Sequence, residues 1–278
     1  MRLFKKFRTN SYHPLGVRGT LNLTAPRNYS EMSDKQIRYV ARLQRSGQPE
    51  ETIWTKCLIR FTGIKPLMQV GNTYFFVKKK WKGFFSLTIE EVAYFSKKMD
   101  FVTKHYSGIR PVQKILTYRA CDELLRDTIF SQYLEAENYY QAYLFTQDEL
   151  HLGKLIATLY QTGKKYDNTF TEKRGRFFTQ LTSELKKLIT IMWMMGVKEY
   201  FSHQWPDFFE RTESGIDDEE PTAPDMYAII QNQVRLLTEG DITKRDQVLK
   251  SNTWDALEEM NAKVREAKEM KKMQTPNP

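Results

Sequence analysis

Only two cysteines, Cys57 and Cys121, occur in the 278 residues, and neither sits in a CxxC or Cys/His spacing. That scarcity leaves a thiolate zinc site without its ligands and a disulfide framework without its pairs. Two buried free thiols in a reducing compartment are expected instead. Histidine is almost as rare, with His13, His105, His151 and His203 the full set and no HExxH among them. A di-metal centre in a helical protein needs two Glu-x-x-His elements; the nearest approach, Asp148 with His151 in "DELH", occurs once. The phosphate-loop, dinucleotide and nucleophile-elbow patterns GxxxxGK[ST], GxGxxG and GxSxG are absent as well. In "YLEAENYYQAY", Glu135 and Glu137 stand two apart, so on a helix they diverge by about 200° and cannot act on one substrate atom. The expectation is a protein that is not an enzyme, with no catalytic, cofactor-binding or metal-binding residue.

Long apolar runs are missing too. The longest, "LITIMWMMGV" from Leu188 to Val197, falls short of the roughly 20 residues that a membrane span requires. It reads as a core helix whose Met192, Met194 and Met195 point in different directions and cannot converge on one soft metal ion. The basic start "MRLFKKFRTNSYHPLG" lacks the apolar stretch of about 7 to 15 residues that a secretory signal carries.

What the chain does contain is 40% hydrophobic and 13% aromatic residues beside 28% charged ones, a composition that folds. Its net charge of +9 draws it to nucleic acid, acidic proteins or anionic lipid without separating them.

Residues 1–30 hold no acid and are broken by Pro14, Gly16, Gly19 and Pro26. They read as a basic N-terminal arm, either solvated or laid over a partner or phosphate. Residues 31–210 read as a helical domain. Ser33 with Gln36, and Thr88 with Glu91, form capping boxes, and Gly63 stops a helix opened by Pro49. Further helices are expected at Cys121 to Thr146, Asp148 to Gln161, Thr171 to Leu181 and Ser183 to Gln204. One small β-hairpin is expected near 73–87, from two aromatic runs around a lysine-rich turn. Lys78, Lys79, Lys80 and Lys82 flank Trp81 there, so the turn could hold phosphate with the indole stacked on a base, or the lysines could simply solubilise a hairpin tip. Residues 211–224, "TESGIDDEEPTAP" and its flank, read as an acidic linker. Residues 225–278 then form a C-terminal helical arm whose apolar positions Val234, Leu237, Trp254, Leu257 and Val264 recur at helical spacing beside alternating charges. Such a stripe either folds back or docks on another chain, and these five residues are the candidate partner-binding set.

The segments "MSDKQIRYVARL", "CLIRFTGIKPL", "MWMMGVKEYF" and "LLTEGDITKRDQVLKSNTWDALEEMNAK" resemble a set of uncharacterised bacteriophage and prophage proteins of the Bacteroidetes type. The last of them is similar to the tails of small phage tail-assembly proteins, including chaperones of the tape-measure protein. The chain is longer than a typical tail chaperone and adds a basic N-terminal arm, and the resemblance carries no functional residue over.

It implies a mainly α, non-enzymatic phage protein that works through helical protein-protein contacts in virion or tail assembly or structure. The expected partners are other phage structural or tail proteins or further copies of the chain, in the host cytoplasm or in the virion. The alternative is a basic nucleic-acid-binding protein that uses the N-terminal arm and the lysine-rich hairpin. Salt separates the two, since phosphate binding weakens steeply with salt and apolar contacts do not.

Overall fold

Local capping chemistry sets several of the element ends in the computed structural model, which describes residues 7–12, 18–78, 84–163, 166–209 and 226–274. The acidic linker and the turn at residues 79–83 therefore lie outside the described residues. The chain divides into two compact units, residues 1–110 and 111–278. This boundary corrects the expected single domain over 31–210. No run of glycine, serine or acid marks Arg110–Pro111, so composition could not reveal it.

In the first unit, β1 (Phe7–Tyr12) and β2 (Arg18–Leu23) pair antiparallel, from Phe7 opposite Leu23 to Tyr12 opposite Arg18. Residues 7–12 and 18–23 of the expected arm are thus paired strands, because paired strands satisfy each other's backbone groups where a lone strap would leave them to solvent. The helix α1 (Asp34–Arg45) opens where Gln36 Oε1 accepts from Ser33 N at 2.8 Å. α2 (Glu50–Thr62) follows Pro49 and ends on Gly63, whose φ of 72° is the left-handed conformation that glycine adopts without strain.

Next come β3 (Ile64–Val70), β4 (Thr73–Lys78) and β5 (Phe84–Thr88), an antiparallel sheet in the order β3-β4-β5. The expected hairpin is its β4-β5 half, with Phe76 opposite Phe85 and their rings 5.7 Å apart. α3 (Ile89–Lys97) begins with both halves of its capping box in place: Thr88 Oγ1 accepts from Glu91 N at 3.2 Å, and Glu91 Oε2 accepts from Thr88 N at 2.9 Å. After α4 (Phe101–Lys104), the unit closes around Tyr29, Val40, Cys57, Phe85 and Val102, all fully buried. The Tyr29 hydroxyl donates to the Val102 carbonyl at 2.7 Å.

The second unit starts with the two-residue β6 (Lys114–Ile115) and β7 (Tyr118–Ala120). It continues through α5 (Phe130–Thr146), α6 (Glu149–Leu159), β8 (Tyr160–Gln161), α7 (Thr171–Leu181), α8 (Glu184–Gln204) and the short α9 (Pro206–Phe209). β7 is the middle strand of a second three-stranded antiparallel sheet, β6-β7-β8. After the linker come α10 (Met226–Thr238), a 3-10 turn at Ile242–Lys244, α11 (Arg245–Lys250) and α12 (Thr253–Gln274). The protein is mainly α.

The helix expected from Cys121 starts instead at Phe130. Asp122 competes with helix formation, because its Oδ1 accepts from Leu124 N at 3.0 Å and Arg126 N at 3.3 Å. The non-helical carbonyls are used elsewhere, Glu123 O by the Trp193 indole and Leu124 O by the Trp254 indole, each at 2.8 Å. α6 and α7 approach unusually closely at two glycines. A Cβ on Gly153 would stand 2.3 Å from the Gly175 carbonyl oxygen, so this crossing requires glycine.

Candidate functional site

The C-terminal stripe already has its partner. Leu257 is fully buried and Val234 nearly so, Trp254, Leu237 and Val264 are half-buried, and the elements they face belong to the same unit. Chain segments preceding α5 and α12 are zipped together: Phe130 N donates to Ser251 O at 2.9 Å and Thr253 N to Thr128 O at 3.0 Å. Below that seam the rings of Trp205 and Trp254 meet edge to face, 5.2 Å apart, and the Trp205 indole donates to Glu258 Oε2 at 2.7 Å. At the far end Phe208 N donates to Asn261 Oδ1 at 3.1 Å and Lys268 pairs with Asp207 at 3.1 Å. The expected detached arm is therefore corrected to a docked one. A stripe containing two tryptophan contacts gains more from the apolar surface beside it than from water, and that surface is supplied by α5, α8 and α9.

The lysine-rich turn contributes one described side chain. Lys78 ends β4 half-buried, while Lys79, Lys80, Trp81 and Lys82 lie outside the described residues.

Glu135 and Glu137 diverge as their spacing requires. Glu135 accepts from the Tyr166 hydroxyl at 2.5 Å and from Asn168 Nδ2 at 2.9 Å. Glu137 holds Gln141 Nε2 at 2.7 Å and the Lys198 ammonium. Both carboxylates tie helices and loops together. Among the described residues, no group of three or more His, Cys, Asp or Glu side chains could hold a metal ion, and no helix is long and apolar enough to cross a membrane.

The surface that sequence reasoning missed is β3. Ile64 is its only buried residue, and Leu67, Met68 and Val70 are 55%, 59% and 61% exposed. β3 hydrogen-bonds to β4 on one side and is the outer strand of its sheet. The register shifts between Pro66 and Met68, which places Leu67 in a bulge, and Met68 and Val70, two apart, then share a face. Proline and a bulge both break the ladder of free N-H and C=O groups along the outer edge, so the strand resists uncontrolled pairing. Its apolar side chains nonetheless remain in water. Exposed Lys65 lies at the base of this patch. Three neighbouring large apolar side chains on one outer strand are the type of surface that marks a contact site. "IKPLMQV" was hidden in the sequence because Pro66 argues against a strand, and pairing with the adjoining Thr73–Lys78 across the Gly71–Asn72 turn overrides that.

Comparison with known proteins returned no match: no family model, no curated protein and no solved structure resembles the chain at a significant level.

Proposed function

We propose that this protein is a non-enzymatic bacteriophage component that acts by protein-protein contact in virion or tail assembly or structure, with the outer face of β3 as the contact surface. The observation that carries the reading is the exposed apolar trio Leu67, Met68 and Val70 on a strand whose sheet leaves it outermost. The likeness of several segments to uncharacterised phage and prophage proteins, and of the C-terminal segment to the tails of phage tail-assembly proteins, supplies the setting, the host cytoplasm or the particle. With the C-terminal stripe consumed inside its own unit, β3 takes over the partner-binding role first expected of that arm. The partner surface would be apolar with an acidic rim to meet Lys65.

The experiment places a photo-crosslinking residue at position 68 in cells producing the phage and identifies what it captures. Capture of a tail or other virion protein, or of a second copy, agrees with the proposal. Capture of replication proteins or nucleic acid, or no capture at all, overturns it.

A further inference from the structure

A cleft of about 500 Å³ opens within the second unit between β7, β8, the 3-10 turn at Asn168–Phe170 and the first turns of α7. Three aromatic rings line it, Tyr118, Phe170 and Phe177. Phe170 and Phe177 are 56% and 40% exposed, which is costly for phenylalanine unless something covers it. Tyr118 and Phe177 are not loose. Both meet the buried ring of Phe178 edge to face, at 4.9 and 5.6 Å. The platform is therefore built before any ligand arrives, which lowers the ordering cost of binding.

The polar lining is dominated by donors. Arg174 Nη2 is fixed on the Asp167 carbonyl oxygen, and its Nε is sealed from solvent with no partner. Gln161 Nε2 is likewise buried and unpaired. Unsatisfied buried donors cost about 1–3 kcal/mol each, so a fold that keeps two of them on residues lining one cleft is short of acceptors there. Lys173, exposed on α7, adds a second cation. Asp167 is the one acid among the lining residues, and its Oδ1 is taken up by Thr169 N at 2.9 Å. The Thr169 hydroxyl, with that backbone hydrogen bond, holds the carboxyl below its usual range, so it does not become a donor.

Flat rings beside paired cations and unfilled donors match one chemistry: a planar heterocycle rich in acceptors that carries a negative charge. We infer that this cleft binds a nucleotide, the base stacked on Phe177 with the tilted Tyr118 ring at its edge and accepting from Gln161, the phosphate held by Lys173 and Arg174. A free mononucleotide and a base of a single strand share that chemistry. The site is independent of the β3 surface, which belongs to the other unit.

The test is calorimetric titration of the full chain with adenosine and uridine monophosphates and, separately, with short single-stranded oligonucleotides. Saturable binding is expected, weakened about tenfold or more by Phe177→Ala and by Lys173→Glu, a charge reversal on an exposed residue. Gln161→Leu discriminates further, because removing an orphaned donor should raise the melting temperature while binding falls. Equal affinity for mononucleotide and strand identifies a free-nucleotide site, and much tighter strand binding with a steep salt dependence identifies nucleic acid; either supports the inference. No binding of any of these probes at millimolar concentration overturns it, as does binding that ignores Lys173→Glu and Gln161→Leu.

Discussion

Thr128 and Thr253 stand 125 residues apart in sequence, yet their hydroxyl oxygens lie 2.7 Å from each other in the interior. Both side chains are buried, and Thr253 also donates to the Thr128 carbonyl at 3.0 Å. The start of α12 is thereby built into the interior of the second unit.

Leu257 is accordingly a folding residue. Leu257→Ala is expected to lower stability by about 2–5 kcal/mol, the range for deleting a buried leucine side chain, read from the urea midpoint at unchanged slope. Leu257→Asp should abolish the cooperative transition of the second unit. A variant that kept full stability while losing a binding partner would show the helix to be a docking arm after all.

The crossing of α6 and α7 predicts unequal effects for two glycines. A Cβ at Gly153 would meet Thr179 Oγ1 at 2.1 Å and the Gly175 carbonyl oxygen at 2.3 Å, and that backbone atom cannot step aside. A Cβ at Gly175 meets chiefly the flexible Lys154 Cγ at 2.7 Å, with its backbone N at 3.2 Å. Gly153→Ala should therefore cost well over the roughly 1–3 kcal/mol typical of overpacking. In Gly175→Ala the gain of about 1 kcal/mol in helix propensity offsets part of the strain. Thermal melts of the two variants should rank them in that order.

Both thiols should be inert in the native protein. Burial pushes Cys57 up to about 12, and burial with the nearby Asp127 carboxylate pushes Cys121 up to about 12, from an ordinary 9.0. A folded-state value above the unfolded one favours the fold while the thiol stays protonated. The contribution is complete below about pH 9 and is lost as the pH rises toward 12. Burial shifts Tyr29, Tyr133 and Tyr160 upward as well and adds to the same alkaline limb. A disulfide reagent at pH 8 should titrate neither cysteine until denaturant is added, and the melting temperature should fall steadily above pH 9.

The β3 face should behave oppositely to the core. Met68→Lys with Val70→Lys should leave stability within about 0.5 kcal/mol per site, as exposed positions do, and should reduce crosslinking from position 67. Substantial unfolding of this pair would mean that the patch is covered by its own chain.

Local signals were readable wherever a side chain acts on its own backbone. The Thr88/Glu91 box, the stop at Gly63 and the span Thr171–Leu181 are each set within one or two helical turns, and each stands where it was expected. Tyr160 and Gln161 read as the end of a helix but form a strand, because Ala120 and Arg119 on β7 pair with them from about 40 residues upstream. Leu125 fits the periodicity of the following helix and yet has a φ of 57°, since Asp122 builds a turn around it. The cleft was not legible at all. Its lining comes from Tyr118, Gln161 and the segment 167–177, three stretches with no shared motif.

The amino-acid order alone determined that α10 and α12 would carry apolar stripes, since helical periodicity is written in spacing and nothing distant can move a residue to another face. It could not say what would cover those stripes. Tertiary structure settled that by bringing Trp205 against Trp254 and Thr128 against Thr253, and in the first unit the pairing of β3 with β4 alone left its outer face uncovered. The physical reason is that hydrophobic burial is indifferent to sequence distance: it selects whichever complementary surface the folded backbone brings close.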